Sequence, residues 1–535
     1  MILHLMKTIS TILLFAFLFI GYLQTHAQFK QIAEGPKFEE PEDGYAKILQ
    51  MKNGSTVYMH FTAKEGIDFR VYDASHAEKI ATNFNLSIER VKEAKRDGPF
   101  YPGINQEKIE SIFEINNDLI MFISEGDKNK SILYRIIIDI TTGKIKEEKN
   151  IFTLNYGGYY VVKKDTYSEN YAIFVIGRLE TETIAQERLF HFGADHKEIN
   201  NGICESPETD DAHSFFNYRE MVILGPDRVC AFYFATSKKY DDKGNLYMVT
   251  LEKGSGKISY QKLKIPDDLI YREVIAKYNP VARNIVFLSL AESKANSGEF
   301  TSFINIIEPV TKKAENITDF SPQEKLNEAY KDRYDKKKDY SGLPQDLYIN
   351  DDGSFSLVYE EMFVQYQQSG NYSRTDTKLG KMIITTHDRN GKFISNYMVP
   401  KAHWIIFKRL GLFYHTNQED HAPEMWRGNQ YKSFVYLTSL KGKYIFFNDT
   451  ERNNEVKNDK FVEVQGVEDC DAFMYKLTGS DLFPKREYAF GETKKGHTLA
   501  MFSVSDYDKK TNTYVTLELD NTREKKVKIV WLQPE

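Results

Sequence analysis

The fold of this chain is decided by a pattern that reads LYRIIIDITTGK at residues 133–144 and returns as LYMVTLEKGSGK at residues 246–257. Each copy is an apolar strand that ends at an acidic residue and runs into a turn closed by Gly-Lys. Weaker copies are SFINIIEPVTKK at 302–313, KMIITTHDRNGK at 381–392 and FRVYDASHAEK at 69–79. Glycine supplies the positive φ that tight hairpin turns need, so the pattern predicts a strand entering a hairpin.

A second apolar strand stands ahead of each copy. Examples are NNDLIMFIS at 116–124, GPDRVCAFYF at 225–234 and ARNIVFLSL at 282–290. With the further strands before these, four strands recur as one unit, and the units begin near residues 45, 109, 157, 218, 271, 344, 432 and 487. Strand-filled repeats of this length predict an all-β fold, a β-propeller of four-stranded blades. Eight blades are predicted, with seven as the alternative. An ordinary β-sandwich would not repeat a Gly-Lys hairpin at such intervals.

The repeats resemble those of the periplasmic protein TolB and of the propeller domain of prolyl oligopeptidases. The resemblance rests on GPDR at 225–228, INDDG at 349–353 and LYRIIIDITTGK. Several units lack one half of the pattern. The resemblance therefore implies a propeller architecture over much of the chain and identifies no specific family.

Residues 1–27 have the three regions of a secretory signal peptide. Lys7 is the single basic residue, an apolar run extends from residue 12 to 20, and Thr25 and Ala27 are the small residues before a cut at Gln28. The apolar run is much shorter than the roughly 20 residues that span a bilayer. We therefore expect an exported protein, periplasmic or extracellular, with no integral membrane segment after cleavage. Residues 28–535 are expected to form a single propeller domain.

Charge and cysteine content narrow the class of protein. The chain has 71 Lys and Arg against 77 Asp and Glu, a net charge of −6, which gives no basic footprint for nucleic acid. Its three cysteines allow at most one disulfide, so a packed core has to hold the fold. The 34 Tyr and 36 Phe favour strands.

Two segments interrupt the strand pattern. Residues 322–340 predict an amphipathic helix, because Leu326, Tyr330 and Tyr334 recur every four positions. Residues 399–430 predict a loop inserted between blades, where a propeller carries the loops that cover its face.

The second insertion contains residue types that bind ligands. Trp404 and Trp426 are candidate platforms for a sugar ring or anchors for a protein partner, and Arg427 is a candidate clamp for a carboxylate. In the alternative interpretation, the two tryptophans pack the insertion against the propeller.

The same insertion suggests a metal site. His415, Glu419 and His421 offer two imidazoles and a carboxylate, which is a ligand set that zinc-like divalent ions accept. Their spacing is not diagnostic, and solvated loop side chains are the alternative. The sequence leaves the cofactor open.

The sequence has no G-x-S-x-G, H-E-x-x-H or G-x-G-x-x-G motif. We therefore predict a propeller that binds a protein, peptide or glycan partner through one face. The alternative is a propeller enzyme, a lyase or hydrolase with or without a metal, whose site lies at the central channel. Propeller enzymes assemble their sites from distant residues, so missing motifs do not decide the question. The sequence also leaves the ligand and the oligomeric state open.

Overall fold

The structure is a computed structural model that describes residues 29–62, 66–86, 107–126, 129–204, 215–236, 244–264, 268–295, 299–317, 324–369, 372–415, 422–425, 428–454, 456, 458–491, 496–519 and 524–534. The predicted signal peptide at 1–27 lies outside these residues.

The first half of the chain folds into β-strands. Two short strands come first, β1 (Lys30–Glu34) and β2 (Phe38–Glu39). The next sheet contains β3 (Tyr45–Gln50), β4 (Thr56–Thr62), β5 (Gly66–Tyr72) and β6 (Glu78–Phe84). A seven-stranded sheet follows, with β7 (Glu107–Ile115), β8 (Asp118–Gly126), β9 (Lys130–Asp139), β10 (Lys144–Lys164), β11 (Tyr171–Leu179), β12 (Gln186–Phe192) and β13 (Glu198–Cys204).

Four-stranded sheets then continue to the middle of the chain. One contains β14 (Phe215–Leu224), β15 (Arg228–Thr236), β16 (Gly244–Glu252) and β17 (Ile258–Leu263). Another contains β18 (Leu269–Asn279), β19 (Asn284–Ser293), β20 (Phe300–Ile307) and β21 (Ala314–Ile317). A helix, α1 (Glu324–Tyr334), follows them.

The remaining strands form three sheets. One contains β22 (Leu343–Ile349), β23 (Phe355–Ser369), β24 (Tyr372–His387), β25 (Phe393–Val399) and the short β26 (His403–Ile405). The next contains β27 (Val435–Ser439), β28 (Gly442–Thr450), β29 (Cys470–Lys476) and β30 (Arg486–Tyr488). The last strands along the chain are β31 (Leu499–Asp508), β32 (Thr513–Leu519) and β33 (Lys526–Gln533).

The first strands of successive units contact one another in a closed ring. The ring runs from β3 through β7, the second half of β10, β14, β18 and β22, and from β27 through β31 back to β3. Strands β22 and β27 meet through the rings of Tyr348 and Tyr436, whose centroids are 4.5 Å apart. Sheets that radiate from such a ring form a β-propeller, which confirms the predicted fold class and the architectural resemblance.

The number of blades depends on how the seven-stranded sheet is divided. Strand β10 pairs with β9 over Lys144–Asn155 and with β11 over Leu154–Lys164. It is therefore the last strand of one group of four and the first strand of the next. The described chain has seven sheets, so the choice between eight and seven blades stays a prediction.

The two ends of the described chain meet in one sheet. Strand β1 pairs with β33, so the last sheet has the order β1-β33-β32-β31. The sequence prediction placed the start of the last unit near residue 487, and this was wrong. Residues Arg486–Tyr488 are the edge strand β30 of the preceding sheet, and the last unit begins with β31. The last unit takes its fourth strand from the other end of the chain, so its carboxyl-terminal part needs only three.

Helix α1 covers one side of the propeller. It buries Leu326, Tyr330 and Tyr334, the residues whose four-residue spacing predicted the helix. These side chains pack with the core of the sheet that contains β22, including Leu347 and Phe355. In the described ranges, no helix is both long enough and apolar enough to cross a membrane.

Candidate functional site

Strands β23 and β24 extend well beyond their neighbours and support a cap. Strand β22 pairs with β23 only as far as Glu360, and β25 pairs with β24 only from Met382 onward. Strand β26 instead pairs with Thr377–Leu379, in the extended part of β24. We call the described residues of 361–381 and 399–434 the cap. The segment predicted as a loop insertion therefore contains a strand.

His415 fastens the cap to the propeller. Its Nδ1 lies 3.0 Å from Oδ2 of Asp346 on β22, and its Nε2 lies 2.7 Å from the carbonyl oxygen of Phe434. The imidazole also stacks on the Phe434 ring, with the centroids 4.0 Å apart and the planes 13° from parallel. Both ring nitrogens are therefore engaged within the protein.

The metal site predicted from His415, Glu419 and His421 stays a prediction. Glu419 and His421 lie outside the described residues. Within the part of the chain that the structure describes, no group of three His, Cys, Asp or Glu side chains is arranged to hold a metal ion.

Asp346 is fully buried and has two charged or chargeable partners. Lys277 Nζ lies 3.3 Å from Oδ1, and His415 approaches Oδ2. Burial would raise the pKa of Asp346, but Lys277 and His415 outweigh it and hold the pKa below its ordinary value.

Ion pairs connect neighbouring first strands around part of the ring. The distances are 2.6 Å for Lys163–Glu220, 3.6 Å for Arg219–Glu273 and 3.3 Å for Lys277–Asp346. These pairs join β10 to β14, β14 to β18, and β18 to β22, and His415 continues the series into the cap. The six charged side chains of these pairs thus have partners on neighbouring first strands.

A second ionic cluster joins the cap to β23. Lys401 Nζ lies 2.6 Å from Oε1 of Glu360, and both side chains are fully buried. The hydroxyl of Tyr414 donates to Oε2 of Glu360 at 2.7 Å. Phe434 and Phe447 complete the surroundings, with ring centroids 5.5 and 5.8 Å from Nζ. Sequence reasoning missed this cluster, because residues 360 and 401 lie far apart in the chain and in no recognisable motif.

Trp404 lies half-buried on the short strand β26 of the cap. Register places it beside Lys378, which in turn pairs with Phe363. The Lys378 ammonium lies 4.4 Å from the indole centroid and 2.6 Å from Oε1 of Glu463. Lys378 thus covers part of one indole face, and the ligand-binding role of Trp404 stays a prediction. Trp426 and Arg427 lie outside the described residues.

A small cleft, with a cavity volume of about 60 Å³, lies between the cap and β31, the first strand of the last unit. Its apolar part consists of Leu379, Ile405 and Leu410, with the Tyr414 ring beside them. These four side chains form a small hydrophobic cluster of their own. The floor of the cleft is therefore a packed apolar surface.

Polar groups line the rest of the cleft. Asn429, Gln430 and Ser433 contribute amides and a hydroxyl, and Ser503 contributes a hydroxyl from β31. At the mouth, Lys408 and Glu424 form a 2.9 Å ion pair, and both side chains are at least one-third exposed. The cleft combines an apolar floor with hydrogen-bonding walls.

Lys432 braces one wall of the cleft. Its Nζ donates to the carbonyl oxygens of Trp404 at 2.7 Å and Gln465 at 2.6 Å. Burial lowers the pKa of Lys432 to about 8. The wall is thus tied both to β26 and to the loop that follows β28.

Comparisons with known proteins identify no family for this chain. No family model matches the chain, and no curated protein matches it. Among solved structures, an ulvan lyase from a new family of polysaccharide lyases, bound to -[GlcA(1-4)Rha3S]-, is 10% identical, with a TM-score of 0.41 over 85% of this chain and 98% of that chain. A lectin from Burkholderia pseudomallei is 9% identical, with a TM-score of 0.32 over 69% of this chain and 98% of that chain. The propeller domain of the trilobed protease from Pyrococcus furiosus is 9% identical, with a TM-score of 0.30 over 69% of this chain and 97% of that chain.

Proposed function

We propose that the protein is an exported propeller that binds a glycan in the cleft under the cap. The observation that carries the proposal is the lining of the cleft, an apolar floor with a tyrosine ring beside it and walls of amides and hydroxyls. A sugar ring has the matching chemistry, since its C–H faces are apolar and its hydroxyls need both donors and acceptors. Ligand sites generally combine an apolar lining with a few polar groups that fix orientation. The signal-peptide pattern at 1–27 supports export.

Binding fits the described residues better than catalysis. A general base must reach the proton it removes, directly or through one water. His415 has both nitrogens engaged with Asp346 and Phe434, and the Tyr414 hydroxyl is committed to Glu360. The enzyme alternative, a lyase or hydrolase, keeps Glu419 and His421 as candidates outside the described residues.

Calorimetry against a panel of neutral and acidic oligosaccharides tests the proposal. We expect at least one member to bind the wild-type protein. Ser433→Trp, which places a large side chain in the cleft, should weaken that binding by about tenfold or more, because the sugar and the indole compete for one volume.

The matched control is Asp351→Ala combined with Lys509→Ala. This pair is an exposed ion pair like Lys408–Glu424, but it joins the turns that follow β22 and β31. It should leave binding unchanged. Binding that survives Ser433→Trp, or a panel without any ligand, would contradict the proposal, and cleavage of a bound oligosaccharide would favour the enzyme alternative.

A further inference from the structure

Strand β10 has a bulge that pushes one tyrosine into solvent. Asn155 pairs with Arg178 and Gly158 pairs with Gly177, so Tyr156 and Gly157 have no partner on β11. Tyr156 adopts a φ of 65°, in the left-handed region that non-glycine residues seldom occupy. Its side chain is 76% exposed.

The bulge is fixed by close backbone packing. A Cβ atom on Gly158 would collide with the carbonyl oxygen of Ile176, so this crossing requires glycine. The amide of Tyr156 donates to the carbonyl oxygen of Asn129 at 2.7 Å, which holds the loop against the preceding hairpin. Residues kept in an unfavourable φ region by their surroundings are frequent at ligand sites.

Arg178 lies against the Tyr156 ring without an acidic partner. Its guanidinium carbon is 4.3 Å from the ring centroid. No carboxylate of the described residues lies within 4.0 Å of it, and its Nε is buried without a hydrogen-bond partner there, so a ligand would contact the terminal Nη groups. Glu182, close by in sequence, is paired with Arg188 at 2.6 Å. A stacked guanidinium keeps the N–H groups at its edge available for a planar anion.

A second tyrosine extends this surface toward the channel. Tyr159 pairs with Ile176, two residues before Arg178 on β11, so their side chains are on the same face of the sheet. Tyr159 is 44% exposed, and its hydroxyl lies near the backbone of Tyr218. We call Tyr156, Tyr159 and Arg178 the rim site.

We infer that the rim site binds the anionic group of an acidic saccharide, with Arg178 on the anion and the exposed Tyr156 ring on the sugar. One face of Tyr156 carries Arg178 and the other is open to solvent, which suits a pyranose ring. The inference rests on the proposed glycan function, but it uses residues that lie on β10 and β11, away from the cleft. Carboxylate and sulfate share the chemistry that Arg178 recognises, so the test separates them.

Calorimetry with four probes tests the inference. They are an oligogalacturonate, its methyl ester, a sulfated oligosaccharide and an oligoglutamate peptide. We expect the protein to bind the oligogalacturonate or the sulfated sugar and to bind the methyl ester more weakly, because esterification removes the charge. Preference for oligoglutamate would overturn the inference in favour of an acidic peptide.

Variants of the rim site assign the contact. Arg178→Ala should weaken binding of the preferred acidic sugar by about 10- to 100-fold, the usual range for a lost charge-assisted contact. Arg178→Lys should give a smaller loss, since it keeps the charge without the two-pronged geometry. Tyr156→Asn, which removes the ring but tolerates the positive φ, should weaken binding by roughly 2- to 10-fold, and Tyr156→Phe should bind like wild type.

The controls are Arg389→Ala and Tyr366→Ala. Arg389 is exposed in another turn, and Tyr366 is 68% exposed on the cap. Both variants should bind acidic sugars normally. If Ser433→Trp abolishes sugar binding while Arg178→Ala leaves it intact, the rim-site inference is wrong and the proposal for the cleft is supported. If no saccharide binds at all, both proposals fail.

Discussion

The charged groups at the base of the cap and those at the rim site differ in burial and in pairing. At the base of the cap, Lys401 and Tyr414 are buried, and both bond to the buried Glu360 of β23. At the rim site, Arg178 has no acidic partner among the described residues, and it lies against a tyrosine that is largely exposed. Burial makes partners obligatory, because a lone buried charge is very costly. The pairing in the cap is thus explained by folding alone, whereas the exposed stacking of Arg178 on a residue with unfavourable φ is not.

The largest expected loss of stability is at Lys401. Lys401→Met removes the cation but leaves Glu360 buried without its partner, which typically costs 3–5 kcal/mol, so we expect a loss of about that size in the free energy of unfolding. Denaturant unfolding followed by tyrosine and tryptophan fluorescence measures it.

A double variant isolates the cause. Glu360→Gln together with Lys401→Met removes both charges and should recover a large part of the loss, because no uncompensated charge stays buried. If the double variant is as unstable as the single one, the loss comes from packing, and the contrast with the rim site weakens.

The pH dependence of stability is the next effect in size. His191 is fully buried, and burial lowers its pKa to about 4, from about 6.5 in the unfolded chain. Between these values the unfolded state binds more protons, so stability falls as the pH falls from about 6.5 to 4. The full shift corresponds to roughly 3 kcal/mol.

His191→Phe should flatten this part of the stability profile, since phenylalanine cannot titrate. Unfolding midpoints measured from pH 7 to pH 4 provide the comparison. An unchanged slope in the variant would mean that His191 already binds its proton in the folded state.

His415 should give a smaller change. His415→Leu removes the hydrogen bonds to Asp346 and Phe434 but leaves Lys277 beside the carboxylate, so we expect a loss of about 1–3 kcal/mol in the free energy of unfolding. Elemental analysis of the purified protein separates this role from metal binding. We expect the same metal content in the wild type and the variant. A stoichiometric metal ion that is lost on substitution would instead support the predicted metal site.

The sequence predicts what local patterns encode. The Gly-Lys hairpins recur within short windows, and Leu326, Tyr330 and Tyr334 mark one helical face, so the repeat and the buried face of α1 are readable from the chain. The pairing of Lys30 with Gln533 cannot be predicted in this way, because neither segment contains a local sequence pattern that identifies its partner strand. The same holds for Glu360 and Lys401, whose contact exists only once β23 and the cap are folded.

The rim site is predictable from the sequence only in part. Gly157-Gly158 inside a strand pattern is a recognised sign of a bulge, so a distortion near Tyr156 could have been predicted. The stacking of Arg178 on Tyr156 could not, since it depends on the register between β10 and β11.

The smallest expected change in stability is the sharpest test of the comparison. Arg178→Ala removes a cation–π contact at an exposed site, which contributes up to about 1 kcal/mol, and it leaves no acidic partner of the described chain unpaired. The unfolding midpoint should therefore stay close to that of wild type, while binding of an acidic saccharide falls. A loss of several kcal/mol would instead make Arg178 a structural residue like Lys401. Lys401→Met and Arg178→Ala each remove one cation. Comparing their losses in the free energy of unfolding therefore shows which of the two cations stabilises the fold.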